Sequence, residues 1–182
     1  MTDLSFVAGN GSVEEFLSGY KPSDATWASP STGETLLKFA LTNDDVQARV
    51  AIATRLLDDG ADPAWQAGSG TNLLHVLFGR RTQDFTAERP LIERLVAGGA
   101  DINSVIARFG TPLETATLDS AFSEAELAPV YDVFFAQPDL DLLKTSLYNN
   151  TVITNLRDCF EDRTDLVSRA EAYLAERGLS ES

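Results

Sequence analysis

The 182-residue chain contains a single cysteine, Cys159, and a single histidine, His75. A lone cysteine forms no intramolecular disulfide, and one thiol with one imidazole cannot build a structural zinc site without many carboxylates. No metal and no cofactor are expected. Basic residues are also scarce: 14 Lys and Arg stand against 28 Asp and Glu, for a net charge of −14. Such a body repels nucleic acid and anionic membranes, which removes both from the expected partners. Long apolar runs are missing as well. No stretch approaches the length of a membrane span, and Met1 to Phe16 lacks the basic start and unbroken apolar core of a signal peptide, so the expected compartment is the cytosol.

What is present is ordinary globular material, 43% hydrophobic and 23% charged, of a length that suits one domain, residues 1–182. Acidic residues outnumber basic ones in residues 1–62, 63–138 and 139–182 alike, so the acidity is no tail. A negative field over the whole body keeps a free chain soluble and monomeric, and it favours a basic protein as partner.

A turn phrase recurs along the chain. Leu56-Leu57-Asp58-Asp59-Gly60-Ala61-Asp62 returns as Leu95-Val96-Ala97-Gly98-Gly99-Ala100-Asp101, and the same interval taken again leads to a degenerate copy, Phe134-Phe135-Ala136-Gln137-Pro138-Asp139-Leu140. A second phrase follows Gly60 and Gly99 at one common spacing, as Asn72-Leu73-Leu74-His75 and Thr111-Pro112-Leu113-Glu114-Thr115-Ala116, with Thr35-Leu36-Leu37-Lys38-Phe39-Ala40 as its first member. Physical chemistry gives these letters their meaning. A threonine before the first apolar position caps a helix, and proline in the first turn loses no needed hydrogen bond, as at Thr111 and Pro112. Glycine past a helix adopts the left-handed conformation that ends it, so Gly60 and Gly99 stop helices running from Val50 to Asp59 and from Leu91 to Gly98. Apolar spacing agrees, with Ile52 and Leu56 in one copy and Leu91 and Leu95 in the next.

The two phrases in register resemble the Thr-Pro-Leu-His-x-Ala and Gly-Ala-Asp signatures of ankyrin repeats, over roughly residues 4–178. The resemblance implies an all-α fold, an α-solenoid of helix-loop-helix repeats with an extended finger after each. The expected units are an N-terminal cap over 1–30, repeats over 31–66, 67–105 and 106–142, and a C-terminal cap over 143–182. In one respect the chain departs from the family. The spans from Thr35 to Gly60, from Asn72 to Gly99 and from Thr111 to Pro138 each exceed the corresponding span of the usual repeat, about 21 residues, by several positions. The extra residues fall between the two helices, in Asn43 to Gln47, Gly79 to Arg89 and Asp119 to Leu127, where they lengthen a helix or protrude as loops.

No constellation points to catalysis. His75 sits at the ankyrin histidine position, whose usual role is to bond backbone between repeats. Gly68-Ser69-Gly70 lacks the frame of a nucleophile elbow. Asp58 with Asp59, and Asp139 with Asp141, lie at helix ends and in fingers, where aspartate caps or turns. Cys159 is expected to be a buried, inert thiol. The resemblance therefore implies a non-enzymatic protein-binding module acting through its concave face, of the kind that bacterial ankyrin-type immunity proteins use to neutralise toxins. By the family's register, that face carries Ser31, Thr32, Glu34, Asn43, Gln66, Ser69, Thr71, Arg80, Arg108 and Asp119. Trp65, which stands in a finger corresponding to that of Trp27, is added as an aromatic anchor, packing beneath the fingers being the other reading of both tryptophans. Arg80, Arg81 and Arg89 form the basic cluster of an acidic chain, either a solvated loop or a contact with an acidic patch on the partner. The alternative to a binding module is an enzyme or ligand-binding protein with a pocket in the insertions, lined by Asp119, Glu124 and Glu126. A third reading is a subunit that stacks through an uncapped end.

Overall fold

Side-chain caps set where most of the helices begin. Asp3, Thr35, Asp45, Asn72 and Asp84 each accept hydrogen bonds from backbone N–H groups of the first turn that follows, and Ser12, Thr111 and Ser123 form reciprocal capping boxes with Glu15, Glu114 and Glu126. The computed structural model describes residues 3–118, 121–159 and 162–180, Cys159 by its backbone alone. Among them are ten α-helices, isolated antiparallel bridges and no strand, so the chain is all-α. No helix among the described residues is long and apolar enough to cross a membrane.

The chain forms two compact units, Met1–Asp101 and Ile102–Ser182, where the composition suggests a single domain. The first holds α1 (Leu4–Asn10), α2 (Val13–Gly19), α3 (Leu36–Ala40), α4 (Val46–Asp58), α5 (Leu73–Phe78) and α6 (Phe85–Ala97). Within it α1 packs on α3, α2 and α3 on α4, and α4 on α6. The second holds α7 (Pro112–Thr117), α8 (Glu124–Phe135), α9 (Val152–Cys159) and α10 (Thr164–Arg177), with α8 packed on both α7 and α10 and α9 on α10. From α3 onward a short helix is followed by a longer one. Each of these pairs is preceded by a hairpin-like finger closed by one bridge: Ala28 with Thr35, Gln66 with Asn72, Ile106 with Gly110, and Thr145 with Thr151. Each of the five expected segments holds one helix pair.

The apolar stripes lie inside. Ile52, Leu56, Leu91, Ile92 and Leu95 are all buried, and burying each such side chain contributes roughly 1.5–3 kcal/mol. Gly60 and Gly99 take positive φ of 97° and 100°, the conformation that lets Ala61 N and Ala100 N bond back to Leu56 O and Leu95 O.

The extra residues of the first two connections between paired helices are bonded into the fold. Asn43, expected on the exposed face, is buried, because its amide donates to Ala8 O and Gly11 O of the preceding helix pair while its Oδ1 accepts from Asp45 N. In the next connection, Thr82 Oγ1 donates to Asp44 O. Part of that second connection enters the longer helix: α6 starts at Phe85 and runs through Pro90, where the sequence suggests a start near Leu91.

Candidate functional site

Four fingers carry the side chains that the cores leave unused. In the first, Ser29 N donates to Glu34 O and Gly33 N donates to Ser29 O, leaving Ser31 and Thr32 exposed at the tip. Glu34 is half-buried and its carboxylate lies 2.7 Å from Lys38 Nζ, an ion pair that holds its pKa below the ordinary value. In the second finger Gln66 and Ser69 are exposed and Thr71 is half-buried; Gln66 Nε2 donates to Gly70 O, and the Ser69 and Thr71 hydroxyls are 3.0 Å apart. Trp65 is half-buried, its Nε1 donating to Gly33 O of the preceding finger at 2.8 Å. That bond ties two fingers together.

The fingers of the second unit place aromatic rings in solvent. Phe109 is 50% exposed and Tyr148 is 77% exposed. Both tips use backbone that L-residues seldom adopt: φ is 75° at Arg108, 55° at Tyr148 and 62° at Asn149. A non-glycine residue there costs on the order of 1–3 kcal/mol and persists only where its surroundings impose it. Between these fingers the Glu114 carboxylate, fully buried, accepts from Thr111 N, Thr111 Oγ1, Ser146 Oγ and Asn155 Nδ2, and so joins one finger to the next. Arg108 is exposed beside Phe109.

The finger surfaces share a chemistry. The segments 63–83, 102–113 and 142–157 contain no Asp or Glu, and the first finger has only Glu34, already paired. Aromatic, hydroxyl and amide side chains stand there among aliphatic ones and a few cations, while the carboxylates sit largely on the helices and their caps. Rigid aromatics among Ser, Thr, Asn and Gly are the mixture that protein-binding loops use.

Comparison with known proteins adds a structural likeness. No protein-family model and no curated protein matches the chain. The crystal structure of a functionally unknown protein from Leptotrichia buccalis is similar to it, with 25% identity, a TM-score of 0.77, and coverage of 98% of this chain and 96% of that one. The likeness carries the helical fold over nearly the whole length of both chains and no activity.

The other expected residues are engaged elsewhere. Arg80 forms an ion pair with Asp44 in the preceding connection, and Arg89 with Glu93 one turn along α6. Asp58 pairs with Arg94, and Asp59 with Arg55 and the Tyr20 hydroxyl. His75 Nδ1 lies 3.0 Å from Asn72 Oδ1 within its own helix cap, while Asn72 Nδ2 reaches across to Asp101 O. Asp119 lies outside the described residues, as does the side chain of Cys159. The two other carboxylates expected in the insertion pocket bond backbone at helix starts: Glu124 accepts from Asp165 N and Leu166 N at the start of α10, and Glu126 caps α8 through Ser123. No group of three metal-binding side chains occurs among the described residues.

Two features gave no sequence signal. The first is a buried ionic network. Arg49 on α4 and Glu88 on α6 are both fully buried and 2.7 Å apart, and Arg49 also donates to Asn43 O and Thr82 O. Burial pushes the Glu88 carboxyl above its usual pKa, with Arg49 pulling it back. The second is a groove of about 980 Å³ near the N-terminus, formed by α1, α2, the Pro22–Asp24 turn and the start of α3. Phe6, 64% exposed, and Trp27, 38% exposed, line it. Asp3, Glu15 and Asp24 stand around these rings.

Proposed function

We propose that the chain is a non-enzymatic, ankyrin-like protein-binding module, monomeric and cytoplasmic when free, that grips a basic protein with its fingertips. The single observation that carries this reading is the chemistry of the fingers in the second unit. Phe109 and Tyr148 stand in solvent at tips built on strained, non-glycine backbone, Phe109 beside Arg108 and Tyr148 beside Asn149 and Asn150. Exposed aromatics on rigid supports are the side chains that supply most of the energy in protein interfaces. The division of labour follows from the charge map. Carboxylates on the helices attract a positive partner from a distance and raise the association rate, while fingertips without carboxylates make the short-range contact. A basic toxin held stoichiometrically is the member of this partner class that the ankyrin resemblance suggests.

The test compares capture by wild type with capture by a Phe109→Ser/Tyr148→Ser variant in the native host, each followed by mass spectrometry. A basic protein retained by wild type and lost from the variant supports the reading. Equal capture by both proteins would overturn it.

A further inference from the structure

The N-terminal groove combines two properties that rarely coincide on a surface with no role. Phe6 and Trp27 offer two exposed aromatic rings to one concavity, and a volume of about 980 Å³ is that of a ligand or peptide site. Among the lining residues, Asp3, Glu15 and Asp24 stand against a single cation, Lys21. We propose that this groove docks a short amphipathic segment of another protein, seating an apolar side chain on Phe6 and Trp27 and flanking Lys or Arg side chains on the carboxylates. The site uses none of the second-unit fingertip residues, so it goes beyond the fingertip reading and stands or falls separately from it.

The residues on the page select this occupant. The carboxylates are held in place by the helix ends they cap: Asp3 Oδ1 accepts from Ser5 N, Glu15 Oε2 from Ser12 N and Asp24 Oδ2 from Lys21 N. Each keeps further acceptor capacity, since a carboxylate offers about four lone-pair sites. The bonds from Ser5 also hold the Asp3 pKa below its ordinary value, so the group is charged at neutral pH. Trp27 is pinned through its backbone, its N donating to Asp24 O and its O accepting from Leu36 N, which fixes the ring's anchor point. A second copy of the chain fits poorly, because it would bring a body of net charge −14 against an acidic rim.

The experiment uses the full chain and three short synthetic peptides of equal length. One is built of Leu and Lys in a helical amphipathic pattern, one has every Leu replaced by Ser, and one has every Lys replaced by Glu. Binding is followed by NMR shift mapping and by titration calorimetry. The expected result is saturable binding of the Leu/Lys peptide alone, with the largest shifts at Phe6 and Trp27. Phe6→Ser should weaken it at least tenfold, and Asp3→Asn/Glu15→Gln severalfold. The latter pair keeps both caps, since Asn and Gln serve those positions. Phe109→Ser should leave it unchanged. Equal binding of the Ser/Lys peptide, or shifts scattered over the acidic surface, would overturn the proposal in favour of plain charge attraction. A dimer in sedimentation that Phe6→Ser dissociates would overturn it in favour of a second copy.

Discussion

Arg49 Nε lies 2.7 Å from Glu88 Oε1, an ion pair between two successive long helices, with neither side chain exposed to solvent. Because the guanidinium also bonds Asn43 O and Thr82 O, one side chain joins two successive connections between helices. Removing the guanidinium alone leaves a buried carboxylate without a counter-charge. Arg49→Met is expected to destabilise the protein by about 3–5 kcal/mol in urea unfolding at neutral pH, and Arg49→Met/Glu88→Leu to recover most of that loss. An Arg49→Met cost below about 1 kcal/mol would mean that water reaches the pair.

The two glycines that end α6 fail for different reasons when substituted. A Cβ on Gly98 would lie 2.2 Å from Pro63 Cγ, whereas a Cβ on Gly99 meets only Ala64 Cβ at 3.5 Å but must adopt φ of 100°. Gly98→Ala should cost about 1–3 kcal/mol through overpacking, and Gly99→Ala about 1 kcal/mol through backbone strain. Thermal melts of the two variants would reverse this order if the Pro63 contact were loose.

Asp59 gives a pH signature. Arg55 and the Tyr20 hydroxyl hold its carboxyl below the ordinary value of 3.8. A lowered folded-state pKa contributes stability that is present above 3.8 and lost as pH falls through the folded value. The stability gap between wild type and Asp59→Asn is therefore expected to be constant near neutrality and to close below pH 3.8. Urea midpoints measured across that range would contradict this if the gap persisted in acid. Glu88 has the opposite sign. Its raised pKa gives a contribution that is fullest below the ordinary 4.5 and declines as pH rises through the folded value.

Trp65 and Tyr148 separate structure from binding within the fingers. Trp65→Phe loses the bond to Gly33 O and should lower stability by about 1 kcal/mol. Tyr148→Ser removes an exposed ring and should leave the melting temperature within about 2 °C of wild type. A melt that moves more for Tyr148→Ser than for Trp65→Phe would reassign Tyr148 to the fold.

Salt should act on association more than on dissociation. With carboxylates on the helices and few on the fingers, raising salt from about 50 to about 300 mM screens the steering field but leaves the contact largely intact. Surface plasmon resonance should show the on-rate falling severalfold while the off-rate changes less; an on-rate independent of salt would remove the basic-partner assignment.

The repeating order was legible because its signals are local. Thr35, Asn72 and Thr111 cap helices where the phrases place them, and Gly60 and Gly99 take the left-handed conformation their positions require. What escaped depends on partners distant in sequence. Asn43, Arg49 and Glu88 have the character of surface residues until the neighbouring helix pairs enclose them. Pro90 has the character of a helix start, yet α6 begins at Phe85 because Asp84 caps it there. The exposed rings of Phe109 and Tyr148 escaped too, since nothing in a single sequence tells an aromatic in a finger from one beneath it. The positive φ at Arg108 was equally silent, because no glycine marks it.

The most direct test is titration calorimetry of the captured partner against wild type and against Phe109→Ser/Tyr148→Ser, with thermal melts of both proteins alongside. The fingertip reading predicts at least a tenfold loss of affinity at unchanged melting temperature, as expected of interface anchors worth about 2 kcal/mol. Equal affinity for the two proteins would contradict it.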